Sequence, residues 1–201
     1  MALGDPYATL SELKDRLGIT DATDDARLTA ALAVASRGVE SCCGRQFNDV
    51  GTATRLFYVR SAYTADVHDF HTTAGLAIKT DAGGDDTFET TLTSSQYELH
   101  PLNGIVDQVT GWPYNRIRTV RTTFPTCTER ASLQVTAHWG WAAVPSPIKE
   151  ATLILAEDVF KLRDTPFGAG GYGEWGRIKA RENPNVWLRI APYVQHPVLV
   201  A

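Results

Sequence analysis

Hydrophobic positions change period twice along the chain, and those changes set the expected layout. Residues 9–17 begin with Thr9-Leu-Ser-Glu12, a capping-box pattern in which Thr9 bonds forward and Glu12 reaches back. Leu10, Leu13 and Leu17 then predict a short helix, with Gly18 suited to the left-handed residue that ends it. Thr23 with Asp24 and Asp25 predicts the start of a second helix, whose positive dipole end favours acids. Leu28, Ala31, Leu32, Ala35, Val39 and Cys42 form its apolar stripe, and Gly44 is its expected stop. The alanines Ala30, Ala31, Ala33 and Ala35 suit a neighbouring helix at short range.

From about Gln46 to Ala143 the period falls to two. Arg55–Val59, Leu76 with Ile78, Tyr97 with Leu99, Ile117 with Val120, and Leu133-Val135-Ala137-Trp139 predict short strands. Asp81–Asp86 is expected to be a hairpin tip, and Gly111–Asn115 a turn with exposed aromatics. Ser146 and Pro147 then announce a helix as cap and first-turn proline. One face carries Ile148, Ala151, Thr152, Leu155, Val159 and Leu162, and a second carries Leu153, Ala156 and Phe160. Only the strip of Glu150, Glu157 and Lys161 looks wet, so this helix is expected to be buried on several sides. Sister copies of the chain or its own strands are equal candidates for the cover. Asn183-Pro184 predicts a last short helix through Val186, Trp187 and Ile190, ended by Pro192. The expected class is α+β, a small helical bundle of N- and C-terminal helices around a strand-rich insertion. The expected divisions are 1–45, 46–143 and 144–201.

Between the last two helices lies Thr165-Pro-Phe167-Gly168-Ala-Gly170-Gly171-Tyr172-Gly173-Glu-Trp175-Gly176. A loop this rich in glycine cannot build a core around three large aromatics. It is read as an arm that orders on a partner, with the aromatics as anchors. A merely floppy loop is the plainer reading. Phosphate cradling is disfavoured, because such loops need a preceding strand and a following helix. The expected partner-binding set is Phe167, Gly168, Gly170, Gly171, Tyr172, Gly173, Trp175, Tyr193, Val198 and Leu199. Leu28, Leu32, Leu153 and Phe160 are the expected subunit-packing set.

Composition adds exclusions. Hydrophobic residues make up 43% and charged residues 21% of the 201, an ordinary globular mixture. A net charge of −4 speaks against a nucleic-acid reader, and Asp24 and Asp25 at a helix start would repel a DNA backbone. Cys42, Cys43 and Cys127 form no disulfide framework, which points to a reducing compartment, although Cys127 pairing with Cys42 or Cys43 stays open. The N-terminus shows no signal peptide, and no run reaches the length of a membrane span. Asp66, His68, Asp69 and His71 are a dense set of potential metal ligands, but strand alternation would put His68 opposite Asp69 and His71. Asp81, Asp85 and Asp86 lack the spacing of a calcium loop. No nucleophile elbow is present, and Cys42 fits a core thiol. The expectation is no catalytic residue, no metal and no cofactor.

Several segments together resemble one family. They are Tyr7–Lys14, the alanine-rich helix ending Cys42-Cys-Gly-Arg-Gln-Phe47, and Tyr97-Glu-Leu-His-Pro-Leu-Asn103. Gly111-Trp-Pro-Tyr114, Trp139–Pro145 leading into Lys149-Glu-Ala151, and Arg163–Gly168 complete the set. As a set they are similar to siphophage head–tail connector (head-completion adaptor) proteins, over nearly the whole chain. The resemblance implies a structural virion protein at the head–tail junction, assembled in the host cytoplasm. It implies a ring of about twelve copies beneath the portal protein. Such a ring extends the DNA channel without reading sequence and offers a face to a neck, stopper or tail protein. No membrane partner is implied. Compact members of that family are mainly helical, so the long strand-rich insertion is a departure. Two other readings stand beside this one. One is a small β-rich ligand- or peptide-binding module with Trp112, Tyr114, Trp139 and Trp141 as an exposed platform; the other is a metal enzyme built on His68 and His71.

Overall fold

A computed structural model describes residues 4–127, 129–161 and 180–195. The chain is α+β and divides into two compact units, Met1–Asn48 with Ala143–Ala201, and Asp49–Ala142.

The first unit is helical. Helix α1 (Leu10–Leu17) opens on the expected reciprocal box: Thr9 Oγ1 accepts from Glu12 N–H, and the Glu12 carboxylate accepts from Thr9 N–H at 2.8 Å. Gly18 closes it at φ 69°. Helix α2 (Asp25–Cys43) ends at Gly44, also left-handed at φ 65°, where a side chain would be strained. Every residue of its expected stripe, from Leu28 to Cys42, is buried. Ala31 and Ala35 are inside, whereas Ala30 and Ala33 face water. Helix α3 (Ser146–Lys161) begins with Pro145 O accepting from Ile148 and Lys149 N–H. Helix α4 (Pro184–Ile190) has Asn183 as its cap and proline in its first turn, as expected. Helix α3 packs on α1, α2 and α4. Among the described residues its cover is helical, where the chain's own strands were one expected alternative.

The second unit is an antiparallel sheet. Its strands are β1 (Asp49–Phe57), β2 (Thr64–Thr80), β3 (Thr90–Thr91), β4 (Tyr97–His100), β7 (Tyr114–Thr119) and β8 (Leu133–Gly140). The order is β1-β8-β2-β7-β4, with β3 added to the end of β2. The last strand in sequence thus lies inside the sheet, second from its edge, and both its neighbours come from the start of the insertion. Alternation along β8 buries Leu133, Val135, Ala137 and Trp139. Along β1 the inward residue is Phe57, followed by Val59, while Leu56 and Tyr58 are 55% and 61% exposed. A separate hairpin pairs β5 (Ile105–Val106) with β6 (Val109–Thr110). Its two-residue loop, Asp107-Gln108, has φ of 49° and 68°. Both central residues are left-handed, the geometry that matches strand twist in tight hairpins.

Trp139 organises the core of this unit. It is fully buried, its Nε1–H donates to Ala53 O at 2.7 Å, and Phe57 and Phe70 lie against it at 5.8 and 5.9 Å between ring centres. Asp81, with Gly83 and Gly84, sits in a long loop joining β2 to β3. The buried Asp81 carboxylate accepts from Gly84 N–H at 2.6 Å and Asp86 N–H at 2.9 Å, so the acid orders the tip. The expectation of exposed aromatics at Gly111–Asn115 is corrected. Trp112 is half-buried against Trp141 at 5.4 Å, and Tyr114 lies on Phe70 at 5.5 Å, because both turn back onto apolar neighbours.

Candidate assembly surface

The helical unit ties α1 to its neighbours through charges at its rim. Lys14 pairs with Asp25 at 2.7 Å, Arg16 with Glu150 at 2.8 Å and Glu157 at 2.9 Å, and Lys149 with Glu12 at 2.9 Å. Glu150 and Glu157 of the polar strip expected to be wet on α3 thus pair with α1, while Lys161 pairs with Glu157 and stays exposed. Hydrogen bonds from Thr9 N–H, then from Lys149, hold the Glu12 carboxyl down at about 2. Deeper in the unit, the Tyr7 hydroxyl donates to Glu40 and accepts from Phe47 N–H at 3.0 Å. Burial first, and the Glu40 carboxylate second, push the Tyr7 hydroxyl pKa upward.

The expected site residues fall into three groups. Phe167, Gly168, Gly170, Gly171, Tyr172, Gly173, Trp175, Val198 and Leu199 lie outside the described residues. Tyr193 is described: it is half-buried, with its ring against Phe47 at 5.9 Å. Leu28, Leu32 and Leu153 are buried within the unit itself, and Phe160 is half-buried.

Residues not anticipated as contact sites do face outward. On α4, Trp187 is 39% and Leu188 77% exposed, although Val186 and Ile190 are fully buried. The partial exposure of Trp187 follows from its position one residue past the buried Val186 on a helix of seven. Beside α4 runs a shallow groove lined by Ser146, Pro147, Lys149, Glu150, Leu153 and Arg189. In the sheet unit, Leu102, Ile105 and Val109 are exposed on and just before the β5–β6 hairpin. The sequence signal was there, as Ile105-Val106 and Val109 flank Asp107-Gln108, where the acid suits a left-handed turn.

The platform expected of a ligand-binding module is not formed, because Trp139 is fully buried and Trp141 is 5% exposed. Trp141 Nε1–H donates to the buried Asp69 carboxylate at 3.0 Å. The expected metal set is likewise dispersed. Asp66 pairs with Arg116 at 2.5 Å, Asp69 serves Trp141, and His68 lies against the rings of Phe57 and Trp139. Of the expected set only His71 joins other potential ligands among the described residues, with Asp49 and His138 beside it, while Asp81, Asp85 and Glu89 form a separate group of acids elsewhere. The Gly51 N–H, then His138, hold the Asp49 carboxyl below its usual range. All three cysteines are free, and burial raises the Cys43 thiol to about 12, which keeps it unreactive. Among the described residues no helix is long and apolar enough to cross a membrane.

The family described as Phage gp6-like head-tail connector protein matches residues 7–123 of the 201, more than half of the chain. No curated protein matches it by sequence. Solved structures resemble it in fold, three of them as follows. The neck of an empty GTA particle, computed with C6 symmetry, contains a chain at TM-score 0.59 and 18% identity, covering 100% of this chain and 96% of that one. The neck of a native GTA particle, computed with C12 symmetry, gives TM-score 0.54 and 20% identity over 100% and 99%. The virion of a native gene transfer agent (GTA) particle gives 0.55 and 20% over 100% and 96%.

Proposed function

The chain belongs to the phage gp6-like head-tail connector protein family, and we propose accordingly that it is a structural subunit of a virion neck, at the junction of head and tail. In this reading about twelve copies form a ring under the portal, in keeping with the closed symmetry usual for such assemblies. The ring extends the DNA channel and presents a face to the next neck, stopper or tail protein. The family match carries the proposal. It is supported by the apolar side chains that each unit leaves uncovered: Trp187 and Leu188 on α4, and Leu102, Ile105 and Val109 around the small hairpin. The mild acidity also fits, because a strongly basic channel wall would hold phosphates and slow the passage of DNA.

The arm Phe167, Gly168, Gly170, Gly171, Tyr172, Gly173 and Trp175, with Tyr193, Val198 and Leu199, is proposed as the surface that meets adjoining rings. Leu28, Leu32, Leu153 and Phe160 would then hold the shape of each subunit, and Phe160, the least buried of them, would contact a sister copy. The test is sedimentation of the full chain alone and with purified portal rings. Comigration with the portal at about one chain per portal subunit is expected, as matched ring symmetry requires. Deleting 168–176 should leave the helical signal intact and abolish comigration. A chain that stays monomeric and ignores the portal would overturn the reading.

A further inference from the structure

We propose that Asp49, His71 and His138 form a binding site for one divalent transition-metal ion of the zinc class. The three side chains come from β1, β8 and β2, three adjacent strands at one edge of the sheet, and their ligand atoms all lie within 4.8 Å of one another.

Two irregularities in the sheet bring them together. The β1–β8 register runs Thr52↔His138 and Gly51↔Trp139, and then slips so that Asp49 faces Gly140. Without the slip, Val50 would face Gly140 and Asp49 would point to the core side. The extra residue, eased by Gly51 at φ 81°, turns Asp49 onto the face of His138, and their side chains meet at 2.7 Å. On the other side of β8, Phe70 faces Trp139 but Thr72 faces His138. His71 is the additional residue there, and its ring lies against that of His138 at 4.6 Å between centres. Bulges on both flanking strands thus converge on a single residue of the central one.

The remaining nitrogens are supported in the manner metal ligands require. His71 Nδ1 is 3.4 Å from Gly140 O, which as a carbonyl oxygen accepts the Nδ1–H and leaves Nε2 for an ion. His138 Nδ1 is 3.5 Å from Thr52 Oγ1, on the side away from Asp49. Two imidazoles and one carboxylate are a common ligand set for zinc-like ions, with a further position open to water. Ligands about 2.1 Å from a shared tetrahedral ion stand about 3.4 Å apart, so side-chain rotations alone bring this cluster to bonding geometry. All three residues have solvent access, which gives an ion a way in. The site would clamp three strands together where both bulges interrupt their ladders, and it is independent of the connector reading.

The test uses the untagged full chain, stripped with chelator and dialysed against Co²⁺ or Zn²⁺. About one equivalent of metal per chain is expected, with visible Co²⁺ absorption showing imidazole ligation. His71→Ala and His138→Ala should abolish the stoichiometric uptake. Asp49→Asn should weaken affinity at least about tenfold in calorimetry, the scale of losing even a supporting group. His100→Ala should bind like the parent chain. Circular dichroism checks that each variant is folded. If His138→Ala does not fold, His71→Ala and Asp49→Asn decide together. The proposal is overturned if the parent chain takes up no stoichiometric metal. It is equally overturned if folded His71→Ala and Asp49→Asn bind as tightly as the parent, which would place the ion on other groups such as the thiols.

Discussion

The helical unit and the sheet unit solve the same burial problem with different material. Helix α1 has eight residues and a single buried side chain, Leu13, and a helix that short has little stability alone. The helical unit therefore holds α1 by its box at one end and by ion pairs to α2 and α3 along its rim. Its interior is mostly alanine, leucine and isoleucine, with one phenol–carboxylate contact at Tyr7 and Glu40. The sheet unit instead gathers aromatics around one tryptophan on an interior strand, β8. Stability is spread among many small contributions in the first unit and concentrated at Trp139 in the second.

If that contrast is right, the largest single loss should come from Trp139→Ala. Removing the ring empties a fully buried volume and leaves Ala53 O without its donor. A cost of about 3–5 kcal/mol is expected, read as a drop in the urea midpoint. A loss below about 1 kcal/mol would show that the sheet does not depend on this ring. In the helical unit the sharpest polar test is Tyr7→Phe. The ring and its edge contact with Phe47 at 5.6 Å would remain, but Phe47 N–H would lose its acceptor and Glu40 a donor. A cost of about 1–3 kcal/mol is expected, because the partners left behind are at least partly buried.

The two units also differed in how far the sequence revealed them. Helix boundaries could be read because their signals are local: Thr9 with Glu12, Gly18, Gly44 and Asn183-Pro184 all act within a turn of where they stand. The strands themselves showed in the alternation of Leu133 to Trp139. Their order did not, since pairing β1 and β2 to the last strand is set by contacts across some 50 to 90 positions of chain. The Asp49–His71–His138 cluster was hidden for the same reason. Its members are far apart in sequence, and two bulges decide the faces on which they lie. Reading strict alternation along 66–71 separated the ligands without showing which partners His71 would gain. Among the expected contact residues, aliphatic character alone could not distinguish Leu28 and Leu32, which are buried, from Leu188, which is exposed.

Carboxylates that hold backbone N–H groups appear in both units and give two finer tests. In the sheet unit, Asp81→Ala removes the acceptor shared by Gly84 and Asp86 N–H. The loop amides can turn to water, so a cost of about 1 kcal/mol is expected in thermal unfolding, with the β2–β3 loop cut faster by protease. Unchanged cleavage would show that Arg130, which also donates to Gly84 O, orders the tip unaided.

Glu12 gives the smallest effect and the most specific one. Its carboxyl titrates at about 2 in the fold, against an ordinary value of 4.5, because Thr9 N–H and then Lys149 favour the charged form. A depressed value means that the contribution is fully present above pH 4.5 and fades as pH falls towards 2. The side chain is 37% exposed, so solvent screening keeps the gain below about 1 kcal/mol. Glu12→Gln isolates it, since glutamine can still complete the box with Thr9 N–H but carries no charge for Lys149. The parent should exceed the variant in stability at pH 6, and the gap should close by about pH 2. Other acids titrate in the same range, but they are common to both chains and cancel in the difference. A gap that stayed constant with pH would mean that α1 is held by shape and the box alone. The helical unit would then rest on packing as fully as the sheet does, and the contrast between the two would narrow to Trp139.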